Sequence, residues 1–255
     1  MKLIWGLVLT LFISFYLGSI DYNIDSFSIN KKEIHGIILK PVNEKKGSYY
    51  ITNQEYRKNN IKINYPKITN LNDAKRQNTI NTLLKDEALK IIDYYDTIEK
   101  KLTLEINYTI KLKTNNLLSI AYSGLGYVKG AAYPNNHFYT TNIDINNGNR
   151  LRLKDIIEID DELIKKIQKG NFKAPKNRRT IILNKLDSKN TLKNFSKSDS
   201  LANITEGRDN YIFTYLTPSS LGISINVIHA LGDHIEFEID YQHILENIKL
   251  KYLKP

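Results

Sequence analysis

Five histidines, His35, His137, His229, His234 and His243, are the residues best suited to proton transfer or metal binding in a chain without cysteine. Their spacing supports neither role. His229 and His234 stand five apart, whereas the two ligands of a metalloprotease helix stand four apart on one face. No HExxH, GxSxG or phosphate-cradling loop occurs. Asp233-His234 reads as a turn, since a catalytic triad is defined by geometry and not by a dipeptide. Asp144 to Gly148 has the look of a calcium loop, but its Gly is one residue early and Asp155 stands where a bidentate Glu belongs. Asn107, Asn194 and Asn203 open glycosylation sequons, which matter only in a eukaryotic host. The expectation is no catalytic residue, no metal site and no cofactor. The remaining candidate is a binding surface: a loop rich in rings, with Tyr122, Tyr127, Tyr133, Pro134, His137, Phe138 and Tyr139. Rings beside amides and small residues suit a protein or a sugar. The competing reading is that most of these rings alternate into the core.

The elements around that loop are legible. Leu117 to Tyr122 reads as a strand leading into a segment with Gly124, Gly126 and Gly130. A second strand, Phe138 to Ile145, enters an Asn146-Asn147-Gly148-Asn149 turn and returns as Arg150 to Leu153, since Asn-Gly between two β-like runs signals a hairpin. Leu102 to Leu112 alternates apolar and polar residues without a break, which predicts a strand with one buried face. Ile80, Leu84, Ala88, Ile91, Ile92 and Tyr95 repeat at helical spacing, predicting a long helix over 72–98 capped by Asn70 or Asn72. Pro66 limits 61–68 to a strand end or an edge. A short helix starts at Asp160-Asp161-Glu162 and ends at Gly170. Strands follow at 211–216, 221–228 and 234–239, then a short helix at 241–248.

The chain has 255 residues, 41% hydrophobic and 25% charged, which fits a globular protein. The absence of cysteine excludes disulfides, thiol catalysis and a lipobox anchor. Formal net charge is +10. With Lys, Asn, Ile and Tyr abundant throughout, this charge reads as the bias of an A/T-rich genome, a contribution to solubility and a weak attraction to wall or surface polymers. Residues 171–210 are polar and Lys-rich with only Phe172 and Phe195 as rings among many cations, so a solvated surface insertion is expected there and not a nucleic-acid platform. Residues 1–20 hold one Lys and then an uncharged apolar run from Leu3 to Ile20. This is an export signal or, if uncleaved, a membrane anchor, since a span needs about 17–25 residues. A spacer is expected at 21–44.

The run from Asn116-Leu-Leu-Ser-Ile through Gly130-Ala131-Ala132-x-Pro134-Asn135, Phe138-x-Thr-x-Asn-Ile-Asp144, Asn-Gly and Leu151-x-Leu153-x-Asp155-Ile156 resembles a paired bacterial exported module. Residues 45–145 resemble the non-catalytic domain of PdaC-type peptidoglycan deacetylases, and 146–250 resemble the RsiV-type C-terminal domain. Tyr133 stands where that family usually has His, and the paired Asp and His-x-x-x-His of polysaccharide deacetylases are missing. No cytoplasmic sigma-binding segment precedes the apolar run, so a transmembrane anti-sigma role is not expected. The resemblance implies an α+β fold, a mixed or antiparallel sheet with a long helix packed on one face and two halves sharing a core. It implies a non-catalytic binder outside the cytoplasm, at the cell surface, in the periplasm or secreted, with cell-wall peptidoglycan or a lysozyme-like protein as partner. The expected ligand face is Tyr127, Gly130, Ala131, Ala132, Tyr133, Asn135, Asn136 and His137. The alternatives are a wall-modifying enzyme with an unrecognised site, or a structural envelope protein.

Overall fold

The computed structural model describes residues 49–186, 190–201 and 211–253. The expected leader at 1–20 and spacer at 21–44 lie outside them. Among the described residues no helix is long and apolar enough to cross a membrane.

A six-stranded sheet runs in chain order: β1 (Tyr50–Lys58), β2 (Ile61–Thr69), β3 (Leu102–Lys113), β4 (Leu117–Val128), β5 (Asn135–Asp144) and β6 (Asn149–Leu151). Neighbours are antiparallel apart from β2 and β3, which run parallel and pair only from Ile61 to Ile63 on β2. A parallel pair needs a crossover. It is made by α1 (Ala74–Leu89), continued by a 3-10 helix over Lys90–Lys101. Helix α1 buries Ile80, Leu84 and Ala88, the stripe its spacing predicts, and also Glu87, which sequence places on the solvated face and which pairs with Arg150. Its cap is Asp73, whose carboxylate accepts from the Arg76 amide, and not the expected Asn70 or Asn72. Asn70 is instead left-handed, with φ 65°, in the turn that ends β2.

Pro66 is tolerated because it lies beyond the three residues of β2 that pair with β3. The freed edge is closed by a side chain. The Asn81 amide on α1 accepts from the Ile68 N–H at 2.8 Å and donates to the Ile68 carbonyl at 2.9 Å, as a neighbouring strand would. Ile68 is fully buried, so both backbone groups need those partners. Asn81→Leu is therefore expected to lower stability by about 2–4 kcal/mol, read as a lower urea midpoint. A midpoint equal to the parent's would show that the edge is satisfied another way.

A second, three-stranded antiparallel sheet follows: β7 (Ile212–Leu216), β8 (Ser220–Asn226) and β9 (His234–Asp240). Between the sheets in sequence come α2 (Leu153–Ile156), α3 (Asp161–Gln168), α4 (Arg179–Leu186) and α5 (Thr191–Ser196). The fold is α+β with a mixed sheet, as expected. Each sheet has its own apolar cluster, and strands belong to both: Phe213 and Tyr215 of β7 enter the α1 cluster, whereas Ile212 and Leu216 enter the other. Buried polar groups stitch the sheets together. Ser119 on β4 donates to the Asn142 carbonyl at 2.7 Å and accepts from the Leu216 amide at 2.8 Å, and Asn142 donates to the Thr214 carbonyl at 2.8 Å.

The surface insertion expected at 171–210 is corrected over its described residues. Phe172, Ile182, Leu186, Phe195 and Leu201 are all buried. The polar composition belongs to the outer sides of α4 and α5, whose inner sides carry few but large apolar residues.

Candidate functional site

The loop rich in rings is mostly strand. β4 continues through Gly124 and Gly126, and β5 begins at Asn135, so Asn135, Asn136 and His137 are paired residues and not loop residues. The glycines are there for closeness. A Cβ on Gly124 would stand 1.9 Å from the Glu105 carbonyl oxygen on β3, and one on Gly126 would stand 2.3 Å from the Tyr95 hydroxyl. Only a residue without a side chain lets those groups approach. Gly130 differs: its space is open and its φ of +96° is what excludes other residues. The Ala131 amide closes this turn on the Val128 carbonyl at 2.9 Å.

The eight expected ligand-face residues separate into layers. Tyr127, Gly130, Ala131, Ala132 and Tyr133 are exposed, the Tyr133 residue to 51%. Asn135 and Asn136 are half-buried. His137 is buried, which corrects its place on the exposed face. Its Nε2 lies 2.6 Å from the Tyr95 hydroxyl. Burial pushes His137 down to about 4, with Asp233 pulling the other way and His234 adding to the fall. Burial also pushes the Tyr95 phenol up to about 12, so it keeps its proton and can donate to a neutral imidazole. Asn135 donates to the same phenol oxygen at 3.5 Å.

Asp233 pins this tip to the second sheet. It stands between a 3-10 turn (His229–Leu231) and β9, in left-handed conformation with φ 69°. Its carboxylate accepts from the Asn136 backbone amide at 2.8 Å and the Asn136 side chain at 3.3 Å. The same carboxylate faces His229 Nδ1, with its two oxygens at 3.0 and 3.1 Å. His229 in turn stacks on Tyr133, centroids 3.8 Å apart and rings 8° from parallel. Phe138 stacks on His234 one step along β5. Burial lowers His234 as well, against the pull of Glu236 and Asp233. The partner of Asp233 is thus His229, four residues back, and not the adjacent His234.

Around this pinned tip lie exposed apolar side chains: Leu125 and Tyr127 on β4, and Ile228, 68% exposed, beside His229. Sequence reasoning missed Leu125, Ile228, His229 and Tyr95, and assigned Asp233 only to a turn. The sole local signal was the turn itself; the Asn136 to Asp233 contact spans 97 positions. Among the described residues no group of three or more His, Asp or Glu could hold a metal ion. Asp144 is used by the hairpin: it accepts from the Asn146 amide at 2.8 Å and the Asn147 side chain at 2.9 Å, and Gly148 alone takes positive φ, 74°. The site can present rings and amides in fixed positions, with the His229–Asp233 pair as its support.

No family model matches the sequence, and no curated protein does. Among solved structures, a DUF3298 family protein from Pseudomonas aeruginosa PAO1 superposes with a TM-score of 0.51 at 13% identity, covering 83% of this chain and 98% of that one. A DUF3298 family member from Bacteroides fragilis gives a TM-score of 0.49 at 16% identity, covering 80% and 95%. Both of these solved structures are DUF3298 family proteins, and the likeness to the first of them is one of fold alone.

Proposed function

We propose that this protein is a non-catalytic binding module that works outside the cytoplasm, with the β4–β5 tip as its ligand face and cell-wall glycan or a wall-active protein such as lysozyme as its partner. One observation carries this reading: Tyr133 is half-exposed yet held, stacked on an imidazole that Asp233 fixes in turn. An ordered ring loses little conformational freedom on binding, and aromatic anchors of this kind dominate binding energy. Tyr127 and Leu125, near the end of β4, are further exposed apolar side chains. The Asp233 carboxylate is occupied by Asn136 as well as His229, which favours a supporting role for the pair over proton transfer.

The test is retention of the full chain on insoluble peptidoglycan and, separately, on immobilised lysozyme. Changing Tyr127 and Tyr133 together to Ser removes exposed rings and leaves Asn136 and Asp233 in place. Loss of at least about 1–2 kcal/mol of affinity, a ten-fold or greater drop, is expected for whichever bait the parent binds. Retention of the parent on neither bait would overturn the reading, and so would retention that the double change does not alter.

A further inference from the structure

We infer that the outer side of the α3–α5 layer is a docking surface for an anionic lipid membrane. The stretch 169–197 holds nine Lys or Arg against one acid, Asp187, and so carries +8 of the chain's formal +10. Codon bias would raise Lys everywhere, yet the remaining residues hold 28 basic against 26 acidic groups and are almost neutral. Genome composition does not explain a charge confined to one segment.

The fold then gathers the described helices of that segment, with α3, in one layer. α3 packs against α4 and α5. Each helix turns its apolar residues inward: Ile164 and Ile167 on α3, Ile182 and Leu186 on α4, Phe195 on α5. The cations are left outside, with Lys169, Lys176 and Lys193 all exposed. Three nearby charges are used within the protein. Lys173 pairs with Asp240 at 2.8 Å, Lys166 with Glu246 at 3.0 Å, and Arg179 lies over the Phe172 ring. The acids of this layer stand in the first turn of α3, where exposed Asp161 and Glu162 face Lys165 and Lys169. Among the described residues of 170–197 no Asp or Glu offsets Lys176 or Lys193.

Two observations select a membrane among anionic partners. The rings of this stretch, Phe172 and Phe195, are both buried, so no stacking platform for nucleobases faces outward. Leu192, in contrast, is exposed directly beside Lys193 on α5. A soluble polyanion leaves that side chain in water, whereas a bilayer interface takes it in while the lysines meet the lipid phosphates. Each cation near an anionic bilayer contributes about 1 kcal/mol, or about five-fold in affinity. This surface is independent of the β4–β5 tip.

The experiment is co-sedimentation of the full chain with vesicles of phosphatidylcholine alone and of equimolar phosphatidylcholine and phosphatidylglycerol, at low and high salt. The expected result is tighter binding to the anionic vesicles, lost at high salt. Binding through residues 3–20 is common to both vesicles and cancels in the comparison. Lys169→Gln, Lys176→Glu and Lys193→Glu combined should lower affinity for the anionic vesicles by about a hundred-fold and leave the phosphatidylcholine arm unchanged. A second variant, Leu192→Ser, alters no charge and should weaken anionic binding with its salt dependence intact. Equal binding of the parent to both vesicles overturns the proposal. Binding to soluble polyphosphate as tight as to anionic vesicles, with no effect of Leu192→Ser, also overturns it and assigns the surface to a free polyanion.

Discussion

Asp199→Ala is expected to lower stability by about 3–5 kcal/mol, more than any other single substitution considered. Asp199 sits after α5 with φ 61° and is almost wholly buried. Its carboxylate accepts from the Thr214 amide at 2.6 Å, the Thr214 hydroxyl at 2.8 Å and the Leu153 amide at 2.7 Å, with the Thr140 hydroxyl at 3.5 Å. One side chain thus joins the start of α2, strand β5 and strand β7. Arg150, paired to Glu87 at 2.9 Å, donates to the Asp199 backbone carbonyl and ties the same point to α1. Burial pushes the carboxyl up, and the Thr214 and Leu153 donors with Arg150 oppose that rise. Removing the carboxylate strands two backbone amides in the interior, each costing about 1–3 kcal/mol. Asp199→Asn keeps the shape but turns an NH2 toward one of those donors, so an intermediate loss is expected. Urea unfolding of both variants checks the order. If Asp199→Ala unfolds within about 1 kcal/mol of the parent, the two sheets are not joined through this residue.

Asp199 also shows what the sequence conceals. It lies in a run of Lys, Ser and Asn that composition assigns to solvent, and nothing local distinguishes it from Asp187 or Asp209. The readable parts share one property: their signal is periodic and short-range. Strand β3 announces itself by strict alternation, α1 by its apolar stripe and the β5–β6 hairpin by Asn-Gly. The β4–β5 tip was read as a loop because glycine marks both flexible turns and close approach. Only the position of Glu105 and Tyr95, on other elements, separates the two meanings. The candidate face was found by its rings, but its order was not. Tyr133 depends on His229, and Asn136 on Asp233, about a hundred positions away, where no pattern in either segment points to the other. Helix α5 was missed, and α4 was legible only as helical turns around Ile181 to Leu186, for a related reason: each short helix buries only two residues, too few to outweigh a polar average.

Acid should destabilise the protein before most carboxylates titrate, through His137. In the unfolded chain this imidazole titrates near about 6.5. In the folded protein burial against Tyr95 holds it down to about 4. The folded-state value is the lower one, so between these limits the unfolded state binds more protons and stability rises with pH. The contribution is whole above about pH 6.5, shrinks as pH falls through the window, and is gone below about pH 4. Its size is about 3 kcal/mol. His234, lowered by burial beside Phe138, adds in the same direction. Urea midpoints taken across the window should fall steadily for the parent. His137→Gln removes the titrating group and retains an amide able to accept from the Tyr95 phenol, so its midpoints should fall much less over the same range. A parent profile that is flat from about pH 6.5 to about pH 4 would mean that His137 takes up a proton in place, with Asp233 close enough to compensate its burial. The β4–β5 tip would then tolerate acid as a charged cluster, and its rigidity would have to rest on the Asn136–Asp233 bonds alone.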